Sequence, residues 1–489
     1  MSVRVRYAPS PTGLQHIGGV RTALFNYLFA RSQGGTFILR IEDTDRERFR
    51  QDALEDLFDT MDWLGLSWDE GPITGGSCEP YVQSQRIDLY TEYAGKLVET
   101  GNAYPCYCTP ERLSALRAQQ EQNKSAFVGY DRHCRDLDPT DAPGGVKPVI
   151  RLKVPLDGET AFTDLLMGTI TRANRDISPD PVLLKSDGFP TYHLANVVDD
   201  HLMGITHILR AQEWIPSGPL HVLLYRAFGW EAPKYCHLPM VMGHDGQKLS
   251  KRHGSTSVQE FREQGYVPEA MVNYISLLGW SWDGEREFFT REELEKLFTL
   301  EKINKAPGVF DYKKLEWFNG HYIRQKSTKE LKDLIIPFLE RDGVIASPPS
   351  PEEQEMVDRM IPIVRERLHL LKDVSDMTRF LFQDVALPPV SEIIPKKCDA
   401  AVTADILAHA AALLEDMDTA DDEVLESRFR AKADELGVKL GAMLMPVRSA
   451  VTGSKVSPPL FESLRLLGKQ RVLLRMQRAL DVMTSEARK

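Results

Sequence analysis

The stretch from Val3 to Ile41 restricts the fold of this chain more than any other. Val3, Val5 and Tyr7 alternate with Arg4 and Arg6, the period-two pattern of a strand, and Pro9 and Pro11 then break it. From Gly19 the apolar residues Val20, Ala23, Leu24, Tyr27 and Leu28 recur at helical spacing, and the run ends near Gly34-Gly35. Thr36 to Ile41 reads as a second strand. Strand, loop, helix and strand in so short a span make a βαβ unit, because parallel strands need a crossover helix and the crossover is right-handed. The pattern predicts an α/β fold built on a Rossmann-like, doubly wound parallel sheet. Ligands of such sheets sit beyond the carboxyl ends of the strands, where Ala8–Gly19 and Glu42–Asp45 fall.

At 489 residues the chain is long enough for about three domains. Residues 86–188 change character, with clustered cysteines, turn residues in 138–145 and short alternating strands such as Val149–Val154. They read as an α+β insertion between two halves of the sheet, 1–85 and 189–245. Residues 246–326 form a further region, and 327–489 follow helical periodicity, as in Leu331, Leu334, Ile335 and Phe338, with 347–351 a loop. Sixty Lys and Arg against 71 Asp and Glu give a net charge of −11, which argues against indiscriminate coating of nucleic acid and leaves a specific RNA partner open. Six cysteines in so long a chain are too few for a disulfide scaffold. Together with a start lacking an apolar leader, and no stretch approaching about 18 uncharged apolar residues, this predicts a cytoplasmic protein with no membrane partner.

Two segments carry candidate chemistry. Pro9–Gly19 places His16, Gly18 and Gly19 at the positive start of the first helix, where close backbone approach and an uncharged imidazole donor suit a phosphate. Far downstream, Gln247–His253 is a compact basic run whose ammonium groups and hydroxyl could meet charge developing on a polyphosphate. A turn entering a helix also serves packing alone, and a basic run is commonly a solvated loop, so neither segment decides by itself. No Gly-rich Lys-Ser/Thr phosphate loop, His-Glu-x-x-His or Gly-x-Ser-x-Gly occurs in the sequence.

Taken together, His16-Ile-Gly-Gly19 and Lys248-Leu-Ser-Lys-Arg252 resemble the paired signatures of class I aminoacyl-tRNA synthetases. Arg6–Gly13, Arg40–Asp45, Tyr192–His201 and Arg210–Trp214 narrow the resemblance to the bacterial glutamate branch, over essentially the whole chain. Gly19 and Arg252 depart from the general class pattern in a way common within that branch. The resemblance implies that L-glutamate is activated with Mg2+-ATP to glutamyl-adenylate and transferred to the terminal adenosine of tRNA(Glu), by a monomer. It implies that His16 and Lys251 serve the phosphates, with Gly18, Gly19, Lys248 and Ser250 nearby, that Lys248 stabilises the mobile loop, and that Glu213 lies near the ATP ribose. Glutamate would be held by Arg6, Ala8, Ser10, Glu42, Tyr192, Asn196, Arg210 and Trp214. The chemistry is sensible: guanidinium groups grip carboxylates, and Glu42 can receive the α-ammonium.

The resemblance also implies roles for the remaining regions: acceptor-stem binding for 86–188, stem contact for 246–326 and anticodon binding for 327–489. Cys106, Cys108 and Cys134 resemble a structural zinc element of the insertion, with Asp136 at the fourth position and Tyr130 or His133 as substitutes. Arg367 falls where an arginine reads the third anticodon base, which would separate tRNA(Glu) from tRNA(Gln). A relaxed enzyme charging both tRNAs, or an inactive synthetase-like RNA-binding protein, are the competing expectations.

Overall fold

The computed structural model describes residues 2–124, 128–138 and 145–489, so most of the turn-rich stretch expected at 138–145 lies outside the described residues. The chain divides into two compact units. The first runs to Phe261 and resumes over Met271–Asp311; the second comprises Arg262–Ala270 and Tyr312–Lys489.

In the first unit, β1 (Arg4–Tyr7) and β2 (Thr36–Leu39) are parallel, paired from Arg4↔Thr36 to Tyr7↔Leu39, and joined by α1 (Ile17–Ser32). The βαβ expectation therefore holds. α1 is not one-sided, however: Ile17, Val20, Arg21 and every residue from Ala23 to Ala30 are buried. The helix is covered from both sides, by β1 and β2 and by the helix Arg291–Leu297, with Phe25 edge-on to Phe298 and the Tyr27 hydroxyl donating to Glu295 at 2.6 Å. A helix sandwiched between layers buries polar positions as well as its apolar stripe.

The chain continues through α2 (Gln51–Trp63) and α3 (Ile87–Glu99) to β3 (Ala103–Cys106), α4 (Pro110–Gln122) and β4 (Val149–Leu152). The hairpin of β5 (Glu159–Asp164) and β6 (Gly168–Ala173) follows, then β7 (Val182–Leu184), α5 (Tyr192–Leu202), β8 (His207–Ala211), α6 (Gly218–Phe228) and β9 (Lys234–Leu238). β3, β4 and β7 form an antiparallel sheet of their own, whereas the hairpin joins the other sheet, in the order β6-β5-β9-β8. β8 and β9 are parallel, Asp164 of β5 pairs with Tyr235 of β9, and β1 runs beside β8, with the Thr206 amide donating to the Arg4 carbonyl at 2.9 Å. The segment 86–188 thus contributes two strands to the sheet that carries Arg210. It also shares a core with α5 and α6, in which Leu97, Leu152, Val154 and Leu183 pack with Leu194, Val198 and Leu224.

The second unit contains no strand among its described residues. Its helices include Thr328–Arg341, Pro351–Val364, Asp373–Phe382, Ala400–Leu413, Leu440–Thr452 and Lys469–Ala487. Ser327 with Glu330, and Ser350 with Glu353, close reciprocal capping boxes. Pro351, read from sequence as loop, is instead the first residue of its helix, a position where a missing N–H costs nothing. Arg471 donates to the Leu381 carbonyl at 2.8 Å, and Arg475 to the carbonyls of Val451 at 2.6 Å and Gln383 at 2.7 Å. These arginines satisfy the orphan carbonyls at helix ends. No helix among the described residues is long and apolar enough to cross a membrane.

Candidate active site

A cavity of about 850 Å3 opens in the first unit. It is lined by Arg6, Ala8, His16, Gly18, Gly19, Glu42, Tyr192, Asn196, Arg210, Glu213, Trp214, Lys248, Ser250 and Lys251, so nearly every residue singled out for glutamate and ATP shares one cleft. Ser10 is the exception: it is exposed, outside the lining, with its carbonyl accepting from the Thr12 amide.

His16 caps α1, but not as an open phosphate nest. Its Nδ1 accepts from the amides of Gly18 at 3.1 Å and Gly19 at 3.3 Å, so those donors are already engaged. An accepting Nδ1 fixes the other tautomer, leaving Nε2–H as the donor. Burial, reinforced by Lys248, lowers the His16 pKa below the ordinary histidine value, so the donor is neutral. The segment just after the basic run, residues 256–258, pairs with the backbone around His16. The Ile17 amide donates to the Thr256 carbonyl at 3.1 Å, and the Val258 amide donates to the Gln15 carbonyl at 3.0 Å. A tight turn over 243–247, with Gly246 at φ 72°, folds Lys248 and Leu249 back against Val241 and Met242. Ser250 and His253 then close a capping box around Lys251–His253. Lys248 Nζ meets Glu213 at 2.5 Å, and both side chains are about half exposed at 56% and 47%.

Arg6, Glu42, Asn196 and Arg210, by contrast, are buried. Arg6 is 4% exposed, and its Nε and Nη2 donate to the two oxygens of Asp200 at 3.0 and 3.2 Å. Arg40, which has no exposed surface, bridges Asp200 at 2.7 Å, Glu42 at 3.1 Å and Asp199 at 3.7 Å. Burial alone would push the Asp200 carboxyl up, but Arg6 and Arg40 outweigh it and hold it below the usual carboxylate range. Burial dominates at Glu42 and raises its pKa despite Arg40 and Arg6. Asn196 donates to Glu42 at 3.4 Å, and the Tyr192 ring lies 4.5 Å from that of Trp214.

Arg210 differs from both of the other arginines. It is 5% exposed, yet its guanidinium contacts only neutral groups: His237 Nε2 at 3.0 Å, the Tyr192 hydroxyl at 3.2 Å, His221 Nδ1 at 3.4 Å and the Trp214 carbonyl at 3.2 Å. No carboxylate among the described residues pairs with it. A buried cation without a counter-ion is costly, and here it faces an open cavity that an anion can enter.

The lining also holds Arg21, Thr256, Ser257 and Glu260, which the sequence reading passed over. Arg21 is 3% exposed, donates to the Pro239 carbonyl at 2.5 Å and leaves Nε and Nη2 without partners; burial pulls its pKa down to about 10. Its place in the stripe-like run of α1 hid it, although an arginine on a helix otherwise buried is itself a signal.

In the segment 86–188, the sulfurs of Cys106, Cys108 and Cys134 lie within 4.8 Å of one another. Asp136 is not with them. Its carboxylate is 87% exposed and 3.7 Å from Lys153, and His133 is likewise exposed. The side chain packed against the thiols is instead Tyr130, whose hydroxyl lies 3.3 Å from Cys106 and 3.9 Å from Cys108 while accepting the Cys134 amide at 3.0 Å. Burial and the neighbouring thiols push Cys108 up to about 12; burial acts the same way on Cys106, but Tyr130, the Cys108 backbone amide and Arg151 together outweigh it and lower that pKa. In the second unit, Arg367 donates to the Ser457 carbonyl at 2.8 Å, beside Arg448, which donates to the same carbonyl and to the Ser457 hydroxyl.

Residues 2–317 match the family described as tRNA synthetases class I (E and Q), catalytic domain, and residues 330–480 match an anticodon binding domain. A Treponema denticola protein named glutamate–tRNA ligase is 53% identical over 503 aligned residues, spanning 98% of this chain and 99% of that one. The protein of the same name from Borreliella burgdorferi is 54% identical, spanning 98% of each. Among solved structures, a glutamate tRNA ligase from Elizabethkingia meningosepticum, in complex with its amino acid, aligns with a TM-score of 0.85 at 34% identity, covering 99% of this chain and all of that one. With its catalytic and anticodon-binding parts both matched, the chain belongs to the class I tRNA synthetases of the glutamate and glutamine group.

Proposed function

We propose that the chain is a glutamate–tRNA ligase. The substrate's α-carboxylate attacks the α-phosphorus of Mg2+-ATP and pyrophosphate leaves; the 2′-hydroxyl of the terminal adenosine of tRNA(Glu) then attacks the adenylate carbonyl and AMP leaves. No protein nucleophile is required, so catalysis consists of positioning and charge stabilisation. His16, as a neutral donor, and Lys251 serve the phosphates; Lys248 and Glu213 order the loop and the ribose end; Glu42 receives the α-ammonium; Arg6 and Arg210 face the acidic groups. The observation that carries this reading is the Arg210 guanidinium, buried and, among the described residues, without a counter-ion in the cavity that also holds His16 and Lys251. A neutral amide in place of the substrate carboxylate would leave that charge unpaired, which favours glutamate over glutamine. An inactive RNA-binding protein has no use for such a phosphate clamp.

The test is aminoacylation of purified tRNA(Glu) and tRNA(Gln) side by side, with pyrophosphate exchange measured in the presence of tRNA. Charging of tRNA(Glu) supports the reading, and none with a folded protein overturns it. The expected preference for tRNA(Glu) rests on Arg367, and equal charging of tRNA(Gln) would replace it with a relaxed enzyme. The matched anticodon-binding domain supports that role for 327–489, with acceptor and stem contacts assigned to 86–188 and 246–326 by the same family pattern. The free thiols of Cys78, Cys236 and Cys398 agree with a reducing cytoplasm, and a monomer is what the family pattern implies.

For the thiol cluster, sulfurs around a tetrahedral zinc stand about 3.8 Å apart by the ordinary zinc–sulfur bond length, and the spacing here fits. Cys106, Cys108 and Cys134 would hold the metal, with Tyr130 rather than Asp136 at the fourth corner, in a purely structural role. Chelator-washed protein from zinc-replete medium should carry about one zinc per chain, and Asp136→Ala should retain it. Protein free of zinc would refute the site.

A further inference from the structure

Arg210 and His237 are cross-strand partners on β8 and β9. Behind His237 stands Asp164, the last residue of β5, and all three side chains are buried, at 5%, 0% and 1% exposure. One Asp164 oxygen accepts from His237 Nδ1 at 2.7 Å and from the His237 amide at 2.9 Å; the other accepts from the amides of Leu166 at 2.9 Å and Met167 at 2.8 Å. A carboxylate tied by four hydrogen bonds has no freedom to turn. It fixes the proton on Nδ1, so Nε2 is an acceptor, and the Arg210 Nε–H donates to it. On the far side, His221 Nδ1 faces Arg210 Nη1 and its Nε2 lies 3.1 Å from His193 Nδ1, which extends the neutral cradle. Burial keeps these imidazoles uncharged: His193 is lowered to about 4, and His221 and His237 also lie below the ordinary value.

The neighbouring Arg6 shows what the alternative looks like. Asp200 grips it through both oxygens and neutralises it in place. Such a grip on Arg210 would compete with a substrate carboxylate, whereas no acid at all would leave a bare buried cation. Placing the acid one imidazole away avoids both: the guanidinium plane is held, the cation is not isolated, and its charge remains available to the cavity.

We propose that Asp164 and His237 are positioning residues for the substrate's side-chain carboxylate, acting through Arg210, and that the neutrality of His237 is what preserves selectivity for an acidic over an amide side chain. This rests on the reading of Arg210 as the group that meets that carboxylate.

The experiment is steady-state pyrophosphate exchange by the full chain with ATP and tRNA, varying L-glutamate and, separately, L-glutamine, for Asp164→Asn, His237→Gln, His237→Glu and Arg210→Ala. In Asp164→Asn the amide oxygen would keep the Leu166 and Met167 amides, so the NH2 would face His237, losing the bond from its backbone amide and donating to Nδ1, which switches the tautomer and sets N–H against N–H at Arg210. Asp164→Asn should raise the glutamate KM roughly 10- to 100-fold, the size of effect typical of outer groups that orient a ligand, with kcat and the ATP KM changed less than about twofold. His237→Gln offers an amide oxygen to Arg210 and should stay within about threefold of the parent. His237→Glu puts a carboxylate directly on Arg210, and should raise the glutamate KM at least as far while shifting the glutamate-to-glutamine ratio of kcat/KM toward glutamine by about tenfold or more.

Folded Asp164→Asn with the parental glutamate KM overturns the proposal, as does a His237→Gln enzyme impaired as much as His237→Glu. Should Asp164→Asn fail to fold, the contrast between the two His237 variants decides alone. An Arg210→Ala enzyme with unaltered glutamate dependence sinks the underlying reading itself. A raised KM there, with parental behaviour at positions 164 and 237, sinks only the relay.

Discussion

Arg6 and Arg210, with Arg40 behind them, are at most 5% exposed and held by buried partners, among them Asp200 on α5 and His237 on β9, whereas Lys248 and Glu213, which line the cavity with Arg6 and Arg210, are about half in solvent and held by one ion pair. On the proposed assignment, the amino-acid side is rigid before any ligand arrives, since each guanidinium is fixed by carboxylates or imidazoles that are themselves tied down. The side proposed for the phosphates is a short turn of exposed cations, which could rearrange at little cost as charge moves from ATP to pyrophosphate. Discrimination between similar small molecules needs a preformed, desolvated surface, and stabilising a moving charge needs cations that can follow it. Substitutions on the rigid side should therefore act on stability and on glutamate KM, and those on the exposed side on the ATP-dependent step with stability unchanged.

The strongest test of that contrast is Asp200→Asn. Removing the shared counter-charge of Arg6 and Arg40 should cost roughly 3–5 kcal/mol of unfolding free energy, read from denaturant titration, and a loss below about 1 kcal/mol would break the rigid-side argument. The same group sets an acid limit. The Asp200 carboxyl is depressed in the folded state, so its contribution is complete above the unfolded aspartate pKa of about 3.9 and is lost as pH falls through the lower folded value. Stability of the parent should decline more steeply than that of Asp200→Asn below about pH 4.

Next in size, Arg210→Ala should lower kcat/KM for glutamate by about 2–5 kcal/mol, roughly 30- to 5,000-fold, with the ATP KM near its parental value. Lys251→Ala should reduce adenylate formation on the order of 10²- to 10³-fold, while tRNA binding and the melting temperature hold; a large melting shift would show that the exposed side is structural after all. The smallest effect belongs to Glu213→Gln. An ion pair this exposed is worth about 0–1 kcal/mol, so stability should not move measurably and the ATP KM should change less than about fivefold.

Much of this is legible in the residues themselves. The alternation of Val3, Val5 and Tyr7 and the helical spacing after Gly19 give the parallel pair, and the two signature segments give the cavity. What they cannot give is pairing. Gly18 and Gly19 look like free donors because nothing local says that the His16 imidazole turns back onto its own helix. Arg6 and Arg210 look alike, because only the fold brings Asp200 to one and His237 to the other. Asp199-Asp200, directly after the largely apolar run Leu194–Val198, is a readable sign of buried ion pairs. Asp136 has the expected spacing for a ligand, yet Tyr130 is the residue that the loop turns inward. In the helical unit, the Arg465–Arg478 cluster looks like a basic surface, whereas Arg471 and Arg475 close helix ends, an outcome set by where distant carbonyls finish.

The hairpin of β5 and β6 sets terms for any recombination between relatives. Cutting at 86 and 188 does not free a satellite module, since the excised piece takes along the hairpin whose β5 joins β9 at Asp164 and Tyr235. It also takes Asp164, the acid that stands behind the arginine awaiting the substrate. A chimera carrying a foreign segment would thus inherit part of its amino-acid affinity from the donor, and its designer would do better to place the seams on either side of the hairpin.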